Sequence, residues 1–98
     1  MAKKPIIWSE RALQELEGIL DFYNSRNQST TFSDRILALT EDVLSTISES
    51  EGLGRKSKLD NIRIFPLKYF LIINKITPHH IEVLSFWDNR QYPIKRNL

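Results

Sequence analysis

The spacing of apolar residues changes from helical to strand-like partway along this 98-residue chain. That change constrains the fold more than any single motif. Ala12, Leu13, Leu16, Ile19, Leu20 and Tyr23 recur at the intervals of one helical face. Ser9 stands where an N-cap would, and Glu10 puts a carboxylate in the first turn. Glu10, Glu17 and Asp21 fall on the opposite, polar face. The spacing predicts a first helix from Glu10 to about Ser25. Gly18 lies on its polar side, with no reason visible in the sequence. Arg26 to Thr30 is a polar connector, and Thr31 with Asp34 resembles a capping box. Phe32, Ile36, Leu39, Val43 and Ile47 form the main stripe of a second helix. Leu37 and Leu44 make another stripe about 100° round, so this helix is expected to touch its neighbour and something more, a sheet or a partner. Gly52 suits a C-cap, and Gly54 adds a second flexible point.

Strand periodicity frames the helices. Pro5-Ile6-Ile7-Trp8 reads as a short strand. Ile62 and Ile64 alternate with Arg63 and Phe65, and Pro66 is expected to end that strand. Tyr69 to Ile76 is a long apolar run, and Thr77-Pro78-His79 is turn chemistry. Ile81, Val83 and Ser85 then alternate with Glu82, Leu84 and Phe86. Three consecutive strands with short connections imply an antiparallel meander. The order β-α-α-β-β-β defines an α+β domain, a helical hairpin packed on a small antiparallel sheet. The length suits a single domain spanning residues 1–98.

Charge divides along the chain. Residues 1–51 carry five Lys/Arg and nine Asp/Glu, a net of −4; residues 52–98 carry nine and three, a net of +6. The basic half, with aromatics among its charges, suits a polyanion, and the acidic half does not. Lys56, Lys58, Arg63, Lys68 and Arg90 are therefore expected to gather on the sheet side. The chain has no Cys, hence no disulfide framework or thiolate metal site. Met1 to Pro5 is basic but has no apolar stretch behind it, unlike a signal peptide. The apolar run Phe70 to Ile73 is far too short to span a bilayer. These features fit a cytoplasmic protein.

No phosphate loop, zinc motif or Ser/His/Asp set is present, so neither cofactor nor metal is expected. The meander is expected to place Arg63, Lys68, Asp88, Arg90 and Tyr92 towards one end, with His79 and His80 in the turn at the other. An eight-residue strand spans about 26 Å, so those histidines are read as exposed turn residues. Arg63, lying between two Ile, is expected to face outward over the sheet. RNA could be cut here without metal if its 2′-hydroxyl attacked the neighbouring phosphate, with cations stabilising the added charge. Arg63 and Arg90 would supply the cations, and Tyr92 or Lys68 the proton transfer. Lys56, Lys58 and Lys68 would contact nucleic acid. Trp8, Phe86, Trp87 and Tyr92 could stack on bases, although Trp8 and Phe86 suit a core equally well.

Trp8-Ser9-x-x-Ala12 followed by Leu16, Ile19 and Tyr23 resembles the opening of the RelE/ParE toxins of bacterial toxin–antitoxin modules. Gly54-Arg55 after the second helix and Arg63 within Asn61-Ile62-Arg63-Ile64 fit the same family. The stretch Phe86-Trp87-Asp88-Asn89-Arg90-Gln91-Tyr92-Pro93 resembles the closing signature of one branch. The resemblance spans about Ile6 to Lys95. It implies the β-α-α-β-β-β fold and a growth-blocking toxin held by a cognate antitoxin. One branch cuts mRNA in the ribosome and another poisons DNA gyrase by protein contact. The expectation for this chain is ribosome-associated mRNA cleavage or translation block, with Arg63 and Arg90 binding phosphate, and gyrase inhibition is the second reading. Where the strands after Arg63 usually carry Tyr, this chain has Phe70 and Asn74, and no His stands beside Tyr92. An inert nucleic-acid-binding module of the same fold is the third reading.

Overall fold

The computed structural model describes residues 4–49, 55–56 and 61–90. Its elements are β1 (Ile6–Trp8), α1 (Glu10–Asn27), α2 (Thr31–Glu49), β2 (Arg55–Lys56), β3 (Ile62–Leu67), β4 (Phe70–Ile76) and β5 (Ile81–Asp88). The expected α+β order holds, with the two-residue β2 added at one edge. The sheet order is β1-β5-β4-β3-β2. β3, β4 and β5 form the expected antiparallel meander. β1 pairs with β5 in parallel, Ile6 opposite Ile81 and Trp8 opposite Val83, so the sheet as a whole is mixed. Expectations at Gly52, Gly54, Lys58 and Tyr92 fall outside the described residues.

α1 starts as its sequence requires. The Ser9 side chain accepts from the Ala12 N–H at 3.0 Å and donates to the Leu84 carbonyl at 3.2 Å. The same cap thus ties the helix to β5. The helix runs two residues beyond the expected end, to Asn27, and closes on Gln28 at φ 51° with its N–H on the Asn24 carbonyl. Ala12, Leu16, Ile19 and Tyr23 are buried, but Leu13 is 44% exposed and lies off the stripe.

α2 begins at Thr31, so Thr30 holds the N-cap position expected of Thr31. Thr30 Oγ1 donates to Asp34 Oδ2 at 3.2 Å, and the Asp34 N–H donates to the Thr30 carbonyl. Its packed face is also turned from the apolar stripe: Ser33, Ile36, Thr40, Leu44, Ile47 and Ser48 are buried, whereas Phe32, Leu39 and Val43 are half-buried. The hydroxyls explain the rotation, because each finds a local acceptor that lets it leave water. Ser33 bonds to the Leu20 carbonyl and Asn24 Oδ1, Thr40 to the Ile36 carbonyl, and Ser48 to the Lys4 carbonyl. Leu44 packs into this chain's own core and Leu37 is half-buried against it, which removes Leu44 as an anchor for a partner.

The core lies between the helices and one face of the sheet, where Leu67, Phe70, Ile72, Ile81, Val83 and Phe86 are covered. β3 does not stop at Pro66. In a two-residue hairpin the pair flanking the turn is hydrogen-bonded and the next is not. Pro66 occupies that next pair, opposite Leu71. Its missing N–H would point away from β4, beyond the reach of β2, whose register ends at Ile64.

β5 carries a bulge. Ile73 pairs with Ser85 and Asn74 with Val83, so Leu84 has no partner in the register. The simple alternation expected from Ile81 to Phe86 therefore breaks. Ile81 and Val83 face the core, and beyond the bulge so do Phe86 and Asp88.

Gly18 sits in mid-α1, where an added Cβ would meet nothing within 4 Å. It lines a groove of about 380 Å³ with Phe22, Phe86 and Trp87. Because no neighbouring group needs glycine there, Gly18→Ala should stabilise the fold by about 0.5–1 kcal/mol through helix propensity. Urea unfolding measures this; an equal or lower midpoint would contradict it.

Candidate functional site

The described polar groups converge where β5 ends beside the C-terminal turn of α1. Asp88 is only 3% exposed. Its Oδ2 accepts from the Tyr23 hydroxyl at 2.8 Å and its Oδ1 from the Arg90 N–H at 3.0 Å. A buried carboxylate is tolerated because it is hydrogen-bonded. The Tyr23 hydroxyl in turn accepts from Arg90 Nε at 3.1 Å. The Arg90 guanidinium lies 4.9 Å from the Tyr23 ring centroid and 4.3 Å from that of Tyr69, within cation–π range of both. The Tyr69 carbonyl also accepts the Asn89 N–H at 2.8 Å. Tyr69 follows Lys68, whose φ of 53° is a left-handed value that favours glycine.

Proton affinities follow from these contacts. Burial raises the Tyr23 pKa above the ordinary tyrosine value; Asp88 adds to the rise and Arg90 opposes it. Arg90 is held more firmly in its charged form, chiefly by its hydrogen bond to Tyr23.

Higher on β5, Glu15 of α1 serves the bulge. Its Oε1 accepts from Ser85 Oγ at 2.8 Å and from the Phe86 N–H at 3.3 Å. The sequence singles out neither Glu15 nor Tyr69, and it marks Tyr23 only as part of the apolar stripe and of the family-like opening. Glu15 borders the apolar stripe of α1, the one sequence signal that points to it.

The expected basic cluster divides. Arg63 pairs with Asn74, and the preceding Ile62 with Lys75, while the Asn61 carbonyl accepts the Ile76 N–H at 2.8 Å. Arg63 thus lies towards the histidine turn, and Lys68 and Arg90 lie at the other end. Phe70, four residues along β4 from Asn74, pairs with Asp88, so about 13 Å of strand separates the two arginines' ends. The expected convergence fails because Arg63 is the second residue of β3 and so sits at the end of that strand far from Lys68. Nor does Arg63 face away from the helices. Directly paired residues share a face, and Asn74 is fully buried on the core side; Arg63 is half-buried there, with Nη1 donating to the Ile62 carbonyl. Ile-Arg-Ile misleads because both sheet faces are apolar: Ile64, Leu71, Ile73 and Trp87 are half-buried on the other one.

Lys56 is the register partner of Arg63. His79 is exposed; His80 is half-buried, its Nδ1 lying 3.2 Å from Thr77 Oγ1 within the turn. Phe86 is a core residue on which Trp8 stacks at 6.2 Å. Among the described residues no helix is long and apolar enough to cross a membrane.

A helical hairpin on one face of a mixed sheet, its first strand paired beside its last, is the architecture of the RelE/ParE class of toxins. The chain belongs to the ParE toxin family: the family's sequence model, described as the ParE toxin of the type II toxin–antitoxin system parDE, matches residues 6–93. Similar solved structures include a chromosomal ParDE toxin–antitoxin system from P. aeruginosa, with 17% identity over 88% of this chain and 96% of that one and a TM-score of 0.74. The YoeB dimer from Staphylococcus aureus shares 15% identity over 88% and 97%, with a TM-score of 0.62. At these identities the likeness is one of fold. A search of curated proteins found no match.

Tyr23→Phe should cost about 1–3 kcal/mol at neutral pH, because a buried acceptor of Asp88 loses its donor. The raised Tyr23 pKa also gives a sign to the alkaline limb. Its contribution is complete below the unfolded value near pH 10 and is lost as pH rises through the higher folded value. Denaturation of wild type and Tyr23→Phe from about pH 8 to 11.5, a range bracketing the ordinary tyrosine value, should show the difference between them shrinking at the top. A constant difference would refute the linkage.

Proposed function

We propose that this chain is the toxin of a type II toxin–antitoxin module, acting in the cytoplasm and held by a cognate antitoxin. We further infer that it arrests growth by contact with a protein target, as in the DNA gyrase-directed branch, and not by cutting RNA. One observation carries this choice: Arg63 and Arg90 lie towards opposite ends of the sheet, with the Arg90 guanidinium already against two tyrosine rings. A phosphoryl-transfer site needs its cations and proton-transfer groups around one phosphate, and these two cations do not share one. The match to the ParE family supports the same reading.

Ribosome-associated mRNA cleavage is the second reading, favoured by the +6 charge of residues 52–98 and by the pairing of Lys56 with Arg63. In that case Arg63 would bind phosphate, Lys56, Lys58 and Lys68 would hold the RNA, and Tyr92 would move the proton.

Induced expression in bacteria separates the two. The protein-contact reading expects DNA damage and filamentation while translation continues, with Arg63→Ala still toxic. Early loss of translation, with Arg63→Ala at least about tenfold weaker, would establish the RNA reading instead. Tenfold or more is the loss expected from removing a charge-assisted phosphate contact worth about 1.5–3 kcal/mol.

A further inference from the structure

Arg90 is fixed on several sides before any ligand arrives. Nε is bonded to the Tyr23 hydroxyl, the guanidinium lies against the rings of Tyr23 and Tyr69, and the backbone N–H is tied to Asp88. A surface arginine ordinarily keeps much of its rotamer freedom, and Arg90 is an exposed residue. Its described side-chain hydrogen bond uses Nε, which leaves the two Nη groups of the fork as the part offered outward. Tyr69 is 48% exposed, a large aromatic face placed on the surface beside that fork. The turn that carries it holds Lys68 at φ 53°, the positive value that a two-residue hairpin takes at its first central residue.

We propose that Tyr23 and Tyr69 are positioning residues that preset Arg90 as a two-pronged receptor for a carboxylate on a protein partner. This rests on the reading of the chain as one engaged by proteins. A carboxylate is favoured over a nucleic-acid phosphate by the surroundings. α1, which delivers Tyr23, bears Glu10, Glu15, Glu17 and Asp21 against Arg11 and Arg26. The buried Asp88 carboxylate accepts the Arg90 backbone N–H, and Lys68, in the turn before Tyr69, is the other described cation at this end. A polyanion would have to run past these acids, whereas one carboxylate need meet only the planar fork that matches it. Fixing the fork in advance removes ordering that binding would otherwise have to supply.

The test uses the full-length chain with ¹⁵N-labelled arginine, titrated with sodium acetate at constant ionic strength, and separately with inorganic phosphate. In wild type and Tyr69→Phe, which keeps the aromatic face, the Arg90 Nε–H signal should exchange slowly with solvent and shift saturably with acetate. In Tyr69→Leu the exchange protection should fall, and the acetate affinity with it by about two- to fivefold, the range of an exposed cation–π contact. Arg90→Lys should lose the response. Backbone spectra verify that each variant is folded. An acetate response in Tyr69→Leu equal to wild type overturns the proposal, as does binding of inorganic phosphate without acetate, which would point to nucleic acid. Neutralisation by the product of an adjacent gene is scored separately. Its failure removes the toxin–antitoxin reading, while the receptor still stands or falls on the acetate titration.

Discussion

One extra residue in β5 determines what the rest of the molecule can do. Had the register run on unbroken past Val83, the core-facing positions would have been Ser85 and Trp87, and Asp88 would have faced away from Tyr23. With Leu84 left over, Phe86 and Asp88 turn inward instead. Bulges re-aim the side chains that follow them, and here the groups on both sides of the irregularity are provided for. Ser9, capping α1, takes the Leu84 carbonyl, and Glu15, farther along the same helix, takes the Phe86 N–H and the Ser85 hydroxyl. α1 is therefore fitted to the distortion as well as to the core.

Downstream of the bulge, a buried carboxylate replaces what would otherwise be one more apolar contact. Such a group is destabilising when half satisfied and specifying when satisfied. The Tyr23 hydroxyl gives its proton to Asp88 and receives one from Arg90, so a single oxygen joins helix, strand and the residues after the strand. The Arg90 N–H meets the same carboxylate from the other side. Packing and presentation are thus coupled here: the interaction that closes this corner of the core also sets the direction of the exposed guanidinium.

The helices and the meander strands are legible because each is long enough for its period to show, whereas the two-residue β2 shows none. Ser9 can be named as a cap because its chemistry is local. The meander follows from short connections. What cannot be read are features decided by two elements at once. Ile81 to Phe86 alternates well enough to conceal a bulge whose sign is the count of residues on β4. Large apolar side chains mark one face of α2, yet Ser33, Thr40 and Ser48 are buried because their hydroxyls find carbonyls nearby. Ile62 and Ile64 suggest the wrong face for Arg63, because an isoleucine is equally at home on either side of this sheet. Among the candidate site residues, Arg90 is marked by its place in a short signature, but its tyrosine partners come from residues 23 and 69, and no one-dimensional spacing links them.

The pairing of β1 with β5 carries a consequence for how the molecule is made. Ser9 and Leu84, joined by a hydrogen bond across that seam, are 75 positions apart. Closing a loop of that size carries an entropic cost of about 4 kcal/mol, and contacts between distant parts of a chain slow folding. Of the described strands, β1 is therefore among the last to find its neighbour, because it must wait until β5 has been synthesised. The helical hairpin can form while synthesis continues, but the corner holding Tyr23, Asp88 and Arg90 cannot. A chain interrupted before β5 would lack both the strand that joins β1 to the meander and the exposed arginine, so an unfinished copy of this protein has neither its closed sheet nor the corner built around Tyr23.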